Sequence, residues 1–231
     1  MIVWSAAEPH RVGEVLLIPR GRTIAFGRGA SGDAPSKVRL VRQRPGKNLP
    51  MPALEDRFLS RRQLVIESDG DVLHVTSVGR RSLVVRGVPV EKVSVSAGEQ
   101  VEIKDTLIFL CVRRTAEMPL LKYGGAAPEH AFGRPDPHGI LGESPAAWRL
   151  RESIAFVASK TGHGLVTGPS GAGKELVAHA LHDLSARRKR RFVSRSAATF
   201  PPGLIDAELF GNIANYPHAG MPERLGLVGE A

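Results

Sequence analysis

The sequence predicts two domains of different fold class, an N-terminal all-β sandwich and a C-terminal partial α/β domain built around a glycine-rich loop. Residues 12–114 hold many short apolar or alternating runs separated by turn residues, with no helical period. Residues 115–138 are rich in proline and glycine, so we assign them to a linker. From residue 139 to 231 the apolar residues recur at helical spacing around a strand, glycine-turn, helix pattern.

The N-terminal domain is predicted from strand-like runs that follow one another without an intervening helix, which favours a β-sandwich. These runs are Gly13–Ile18, Arg22–Phe26, Ser36–Arg42, Gln63–Glu67, Val72–Thr76, Ser82–Arg86, Glu99–Ile103 and Thr106–Arg113. Cys111 lies in the last run and is the only cysteine, which excludes an internal disulfide. We expect it to be a small buried hydrophobic residue rather than a reactive thiol.

The C-terminal domain is predicted to begin with a helix and to continue as one βαβ unit. Ser144 is an N-cap residue and Pro145 suits the first helical position, so the helix should run to about Ser159. A short strand is predicted at Gly164–Thr167 and another at Phe192–Val193. The helix between them is predicted from apolar residues at helical spacing, namely Leu176, Val177, Ala180, Leu181 and Leu184.

Composition bounds the class of protein and of partner. The 231 residues carry a formal net charge of +9, which favours anionic partners such as nucleic acids, phosphoproteins, nucleotides or acidic membranes. No apolar run approaches the ~20 residues of a membrane span, and the N-terminus does not resemble a signal peptide. We therefore expect a soluble, cytoplasmic protein without a membrane partner.

Other polar clusters lead to no site. Arg187–Arg191 is interpreted as a solvated connector rather than a nucleic-acid contact, since it follows a helix end. His179 and His182 have no further ligand at a suitable offset, so no metal site is assigned. No residue is assigned as catalytic.

Residues Gly168–Lys174 match the G-x-x-x-x-G-K pattern of a phosphate-binding P-loop. Its glycines allow backbone N–H groups to surround phosphate oxygens, and Lys174 would reach the β and γ phosphates. Glu175 stands where the general pattern has a Ser or Thr for magnesium, so Mg²⁺ is left open. We expect ATP as the cofactor, bound by Gly168, Pro169, Ser170, Gly171, Ala172, Gly173, Lys174 and Glu175.

The second half resembles the AAA+ domain of sigma-54-dependent transcription activators. The resemblance rests on Ile140–Ser144, Thr167–Ala178 and Asp206–Gly211, in the family's order and spacing. The family also has glutamate after the P-loop lysine, so Glu175 agrees with it. The resemblance implies an ATP-binding domain of the sigma-54-interaction type.

Two departures restrict what the resemblance implies. The family's GAFTGA loop, which contacts the sigma factor, is replaced by Asn212–Gly220, with Pro217 and His218 where Phe and Thr are expected. Remodelling of RNA polymerase with sigma-54 is therefore not expected. Gly226–Ala231 resembles the segment before the acidic Walker B strand, and neither that strand, the sensor regions nor a helix-turn-helix follows. Hydrolysis and direct DNA binding are thus not expected from this chain alone, which would be a fragment, a truncated product or a relic domain.

The first half resembles a forkhead-associated (FHA) domain, a β-sandwich whose loops bind phosphothreonine. The resemblance rests on Gly27-Arg28 after a strand, Ser60–Gln63, and Gly87 between strands. It implies that Arg28 pairs with the phosphate, that Ser60 donates its hydroxyl, and that neighbouring cations add charge, namely Arg61 and Arg62. Gln63 stands where the family usually has histidine, and Arg81 and Arg86 stand where it has asparagines.

Three hypotheses remain. The preferred one is a regulatory protein that senses a phosphothreonine protein through the FHA domain and binds ATP through the P-loop. The second is a phosphoprotein-binding adaptor with a non-functional ATPase remnant. The third is a true ATPase of which this chain is the front part. ATP binding distinguishes the first from the second.

Overall fold

The computed structural model describes residues 1–29, 38–123, 130–216 and 218–231. The chain forms two compact units, Met1–Glu152 and Ser153–Ala231. Pro217 and parts of two predicted segments, the Ser36–Arg42 strand and the 115–138 linker, lie outside the described residues. The predicted domain limits, 12–114, 115–138 and 139–231, stay a prediction.

The described part of the first unit is built from short antiparallel strands. They are β1 Ile2–Ser5, β2 Val15–Leu16, β3 Thr23–Phe26, β4 Leu40–Arg44, β5 Lys47–Pro50, β6 Leu64–Ser68, β7 Val72–Ser77, β8 Leu83–Val85, β9 Val88–Val90, β10 Lys92–Ser96, β11 Gln100–Ile103 and β12 Leu107–Leu110. A 3₁₀ turn covers Pro9–Arg11. The sheets have the orders β1-β12-β11-β8-β9, β10-β7-β6-β3 and β2-β4-β5.

The core of this unit is aliphatic, with one aromatic pair. Phe26 and Phe109 meet edge to face at 5.1 Å between ring centroids. Around them pack buried residues contributed by the large sheets, including Ile2, Ile24, Leu64, Ile66, Val75, Leu83, Val95, Val101, Ile103 and Leu107. The predicted all-β sandwich is therefore confirmed.

A buried ion network stabilises the start of the sandwich. Glu14 is fully buried and pairs with the buried Arg11 and with Arg42, whose Nε lies 3.1 Å from its carboxylate. Arg11 also donates to the carbonyl of Pro52 at 2.8 Å. Two cations thus satisfy the carboxylate of Glu14, and the Pro52 carbonyl accepts a remaining hydrogen of Arg11, so the buried charges are paired.

Part of the segment predicted as linker packs on β4. Arg44 donates to both carboxylate oxygens of Glu143, at 2.6 and 3.1 Å, and to the carbonyl of His130 at 2.9 Å. The guanidinium of Arg44 lies over the ring of Phe132, 5.7 Å from the ring centroid. The indole N–H of the buried Trp148 donates to the carboxylate of Glu143 at 3.2 Å. The structure places these residues in the first compact unit.

Four helices and one hairpin are described from residue 145 onwards. They are α1 Pro145–Ala158, α2 Lys174–Leu184, α3 Ile205–Phe210, β13 Gly211–Asn212, β14 Arg224–Leu225 and α4 Leu227–Glu230. The boundary between the two units falls within α1, after Glu152. A 3₁₀ turn covers Ala197–Thr199. The predicted helices at 144–159 and after the glycine turn are confirmed to within a residue or two at their starts.

The strands predicted at Gly164–Thr167 and Phe192–Val193 are wrong, because both segments have an irregular backbone. Leu165 is 90% exposed, so its segment has no apolar surface to cover it. A strand exists only when a neighbour accepts its backbone hydrogen bonds. In the described residues of this unit, β13 and β14 pair only with each other.

None of the described helices is long and apolar enough to cross a bilayer.

Candidate phosphopeptide and nucleotide sites

The residues assigned to phosphothreonine meet at the end of β3. The amide of Arg28 donates to the carbonyl of Ser60 at 3.0 Å. Gly27 makes this approach feasible, since a Cβ there would lie 2.4 Å from the carbonyl oxygens of Ser60 and Arg61. Any side chain at position 27 would therefore push the two loops apart. Arg28 is half-buried, whereas Arg61 and Arg62 are exposed.

Gln63 joins the loop of Ser60 to the loop of Arg81. It is fully buried, its Nε2 donates to the carbonyl of Arg81 at 2.7 Å, and its Oε1 accepts from the amide of Ser60 at 3.3 Å. Gly79 packs directly on it, because a Cβ there would lie 2.3 Å from Oε1. Gln63 thus braces the loops at the position where the resemblance implied histidine.

The hydroxyl of Ser60 lies between the two braced loops. Its Oγ accepts from the backbone amide of Arg80 at 2.9 Å. A hydroxyl that accepts one hydrogen bond can still donate its own hydrogen to another acceptor. This geometry suits donation to a phosphate oxygen and adds the exposed Arg80 to the set of nearby cations.

Sequence reasoning missed an aromatic platform beside this serine. Phe58 is 52% exposed, and the guanidinium groups of Arg57 and Arg81 lie 4.8 and 5.0 Å from its ring centroid. Cation–π contacts of this kind hold arginines in place at a surface. The signal in the sequence was Arg57-Phe58 two residues before Ser60, but only the fold brings Arg81 to the same ring.

Residues Gly168–Lys174 form a turn whose glycines adopt the conformations that a phosphate-binding loop needs. Gly171 and Gly173 have φ of 75° and 81°, the left-handed region that glycine adopts without strain. Helix α2 begins at Lys174, and its first-turn N–H groups have no partner within the helix. Lys174 Nζ donates to the carbonyls of Gly168 at 3.1 Å and Pro169 at 2.8 Å, so the ammonium folds over the loop.

These residues fit a polyphosphate better than a metal. The positive helix end, the loop amides and the ammonium of Lys174 all favour an anion. Glu175 is exposed in the first turn of α2, and the described residues contain no group of three or more His, Cys, Asp or Glu side chains placed to hold a metal ion. Phosphate oxygens would therefore have to supply most ligands to any Mg²⁺.

The Asp206–Gly211 motif forms α3 and the first strand of a hairpin. Arg224 on the second strand pairs with Glu208 at 2.7 Å, which holds the pKa of that carboxyl below its ordinary value. Gly211 and Gly226 meet backbone to backbone, since a Cβ on Gly211 would lie 2.6 Å from the amide nitrogen of Gly226. The loop that departs from GAFTGA joins these strands, and its Ile213 and Tyr216 are exposed.

The remaining clusters have structural explanations. Phe192 packs against His179 and His182 on α2, at 4.4 and 5.2 Å between ring centroids. Arg187–Arg191 forms an exposed turn after α2, where Arg191 pairs with Glu230 at 2.9 Å. Cys111 is half-buried just after β12 rather than fully buried, and burial raises the pKa of its thiol.

Comparison with known proteins bears on the second half of the chain. The Sigma-54 interaction domain family matches residues 140–231. The Nif-specific regulatory protein of Rhizobium etli is 38% identical over 96 residues, which are 42% of this chain and 16% of that protein. The C4-dicarboxylate transport transcriptional regulatory protein DctD of Pseudomonas aeruginosa is 41% identical over 90 residues, 38% of this chain and 20% of the relative.

Among solved structures, the FhaA FHA domain complexed with the intracellular domain of Rv3910 is 20% identical. The match covers 41% of this chain and 85% of that chain at a TM-score of 0.30, too low for any argument from it. The chain spans a fifth or less of the curated relatives named above. The Sigma-54 interaction domain match includes the residues on which the sequence resemblance rests, among them the P-loop with Glu175 and Asp206–Gly211.

Proposed function

We propose that the chain is a signalling protein that reads phosphothreonine at the Arg28 and Ser60 edge of its sandwich and binds ATP at its P-loop. The observation that carries the first part is the contact between the Arg28 and Ser60 loops. It gathers a half-buried arginine, a hydroxyl, and exposed cations at one edge. Charge-assisted hydrogen bonds from such a set match the three oxygens of a phosphate.

Peptide binding tests the first part. We expect a library with fixed phosphothreonine to bind the full chain better than its unphosphorylated counterpart, measured by fluorescence anisotropy. Arg28→Ala should weaken binding about tenfold or more, since it removes hydrogen bonds to a charged group. Lys47→Ala on exposed β5 is the matched control for lost positive charge. Equal binding of both libraries, or unchanged binding by Arg28→Ala, would contradict the proposal.

Nucleotide binding tests the second part. The left-handed glycines and the helix start at Lys174 support an ATP-phosphate site. A triphosphate would offer charged acceptors in place of the two carbonyls that Lys174 now contacts. We expect Lys174→Ala to weaken binding of a fluorescent ATP analogue about tenfold or more. Lys189→Ala, in the exposed turn after α2, removes equal charge and should bind as the unchanged chain does.

A second candidate function is a phosphoprotein-binding adaptor in which the P-loop is a remnant. One observation favours it: the segment before the loop has no regular structure and Leu165 is 90% exposed. Failure of the unchanged chain to bind ATP, together with retained phosphopeptide binding, would establish this candidate over the first.

A further inference from the structure

The first unit contains a cleft that neither proposed site uses. Its volume is about 490 Å³, within the roughly 300–1,000 Å³ typical of small-molecule pockets. It is lined by β11 and β12 of one large sheet, by β6, β7 and β10 of the other, and by β2 with the residues that follow it up to Arg20. None of the residues proposed to bind phosphothreonine lines it, namely Arg28, Ser60, Arg61 and Arg62.

The lining changes from apolar to basic. Buried core side chains such as Leu64, Val75 and Val95 form its floor, and its accessible apolar wall consists of half-buried residues, namely Leu17, Ile18, Leu73, Leu110 and Val112. Arg20, Arg113 and Arg114 also line it, with Asp71 as the one carboxylate of the lining. Arg20 and Arg113 are exposed, whereas Arg114 is half-buried and donates to Gln43 at 3.2 Å.

The charge balance at this rim favours an anion. Asp71 pairs with Arg113 at 2.9 Å, and both side chains are more than 70% exposed, so this pair adds little to stability. Three cations against one carboxylate leave a net positive rim. An apolar wall with a cationic rim complements a molecule with one aliphatic tail and one anionic head.

We propose that this cleft binds a single-chain anionic amphiphile of the fatty-carboxylate class, with the tail between the sheets and the carboxylate at the rim of Arg20 and Arg113. The tail would cover Leu73 and Cys111, which are half-buried in the structure. Burial of a methylene chain supplies the main driving force, and the arginines select the charge of the head.

Decanoate is the probe, and Cys111 reports occupancy because it lines the cleft and is the only cysteine. We expect saturable binding by calorimetry on the full chain. Maleimide labelling of Cys111 should slow about tenfold when decanoate is at ten times its Kd, as mass action requires. The cation decyltrimethylammonium should give no such protection at the same concentration.

Variants locate the site. Leu73→Trp should fill the cleft and abolish decanoate binding, whereas Leu49→Trp on β5, outside the lining, should not. Arg20→Glu should weaken binding about fivefold, and Lys47→Glu should leave it unchanged. Circular dichroism melting establishes that each variant is folded.

Three results would overturn the proposal. They are the absence of saturable decanoate binding, equal protection of Cys111 by the cationic amphiphile, and unchanged binding in a folded Leu73→Trp variant. Phosphothreonine-peptide binding by the same samples provides a separate readout, because the cleft and the peptide edge share no residue.

Discussion

At the scale of single residues, Gln63 connects the buried core to the Arg28 and Ser60 edge, where we propose that phosphothreonine binds. The structure has it donate to Arg81 and accept from Ser60, two loops that the sequence separates by about twenty residues. An amide can do both at once because it carries a donor and an acceptor on one planar group. Gln63 therefore braces the two loops, although in the sequence it counted only as a departure from the FHA-like pattern.

We expect Gln63→Ala to destabilise the chain by about 2–3 kcal/mol, because it leaves buried groups of both loops without their partner. Phosphopeptide binding should weaken as well, since the position of Ser60 would no longer be fixed. Urea unfolding and fluorescence anisotropy measure the two effects.

Gln43→Ala is the matched control for this prediction. Gln43 is also buried and donates to the carbonyls of Thr115 and Ala116, away from the peptide edge. The Gln43→Ala variant should lose as much unfolding free energy as Gln63→Ala but bind the phosphopeptide with unchanged affinity. Equal loss of affinity in both variants would show that Gln63 acts through global stability alone.

At the scale of elements, the sequence predicted those strands whose pattern is local. β3, β6, β7 and β11 follow apolar or alternating runs and were placed to within a residue or two. β1 was missed because Ile2–Ser5 acquires its partner, β12, from about a hundred residues away. The strand predicted at Gly164–Thr167 is absent because this apolar run has no neighbouring strand to pair with in the described part of the chain, so its backbone is irregular.

Helix α1 is linked to the preceding segment by a buried ion pair. Arg151 Nε donates to Asp136 at 2.7 Å, and its other nitrogens donate to the carbonyls of Ile140 and Gly142. Burial alone would raise the pKa of Asp136. The hydrogen bonds from Arg151 and from two backbone amides outweigh it and leave the pKa below its ordinary value of 3.8.

We expect Asp136→Asn to destabilise the first unit by about 3 kcal/mol at neutral pH, because the charge of Arg151 is left buried. A depressed carboxyl pKa stabilises the fold fully above the unfolded value of 3.8. The contribution begins to decline as the pH falls below 3.8 and is lost as it falls through the lower folded pKa, so the difference in unfolding free energy between Asp136→Asn and the unchanged chain should narrow below pH 3.8. Urea unfolding from pH 7 to 3 measures it.

Asp71→Asn is the control, since Asp71 pairs with Arg113 at the exposed surface. Its unfolding free energy should stay within about 0.5 kcal/mol of the unchanged chain at every pH. An Asp136→Asn difference that persists undiminished at pH 3 would rule out the charged pair as its origin.

At the scale of the whole molecule, described residues from 130 to 143 contact the sandwich, although composition predicted a linker up to residue 138. Proline and glycine predicted a linker over 115–138, yet the structure buries Asp136 and packs Phe132 beneath Arg44. Composition indicates only the local conformational preference of a segment. It could not predict the bidentate contact between Arg44 and Glu143, because these residues lie 99 positions apart in the sequence. The glycine turn before α2 and the approach of Arg28 to Ser60 could be located because each depends on a short motif, while the ligands of both stay predictions.

We expect Arg44→Ala to release this segment, because Glu143 is buried and would lose its bidentate partner. Chymotrypsin should then cleave after Phe132, which the cations of Arg42 and Arg44 cover in the unchanged chain. Limited proteolysis with mass spectrometry measures the rate at that bond. Because removing one partner of a buried pair costs about 3–5 kcal/mol, the rate should rise at least tenfold.

The double variant Arg44→Ala/Glu143→Gln distinguishes the effect of leaving Glu143 unpaired from the effect of losing the aliphatic part of the Arg44 side chain. It leaves no buried charge unpaired, so it should be more resistant to cleavage than Arg44→Ala. Arg113→Ala, which removes an exposed arginine, should cleave as the unchanged chain does. If Arg44→Ala is no more susceptible at Phe132 than Arg113→Ala, the Arg44–Glu143 contact does not hold the segment on the sandwich, and the composition-based expectation of a free linker would stand.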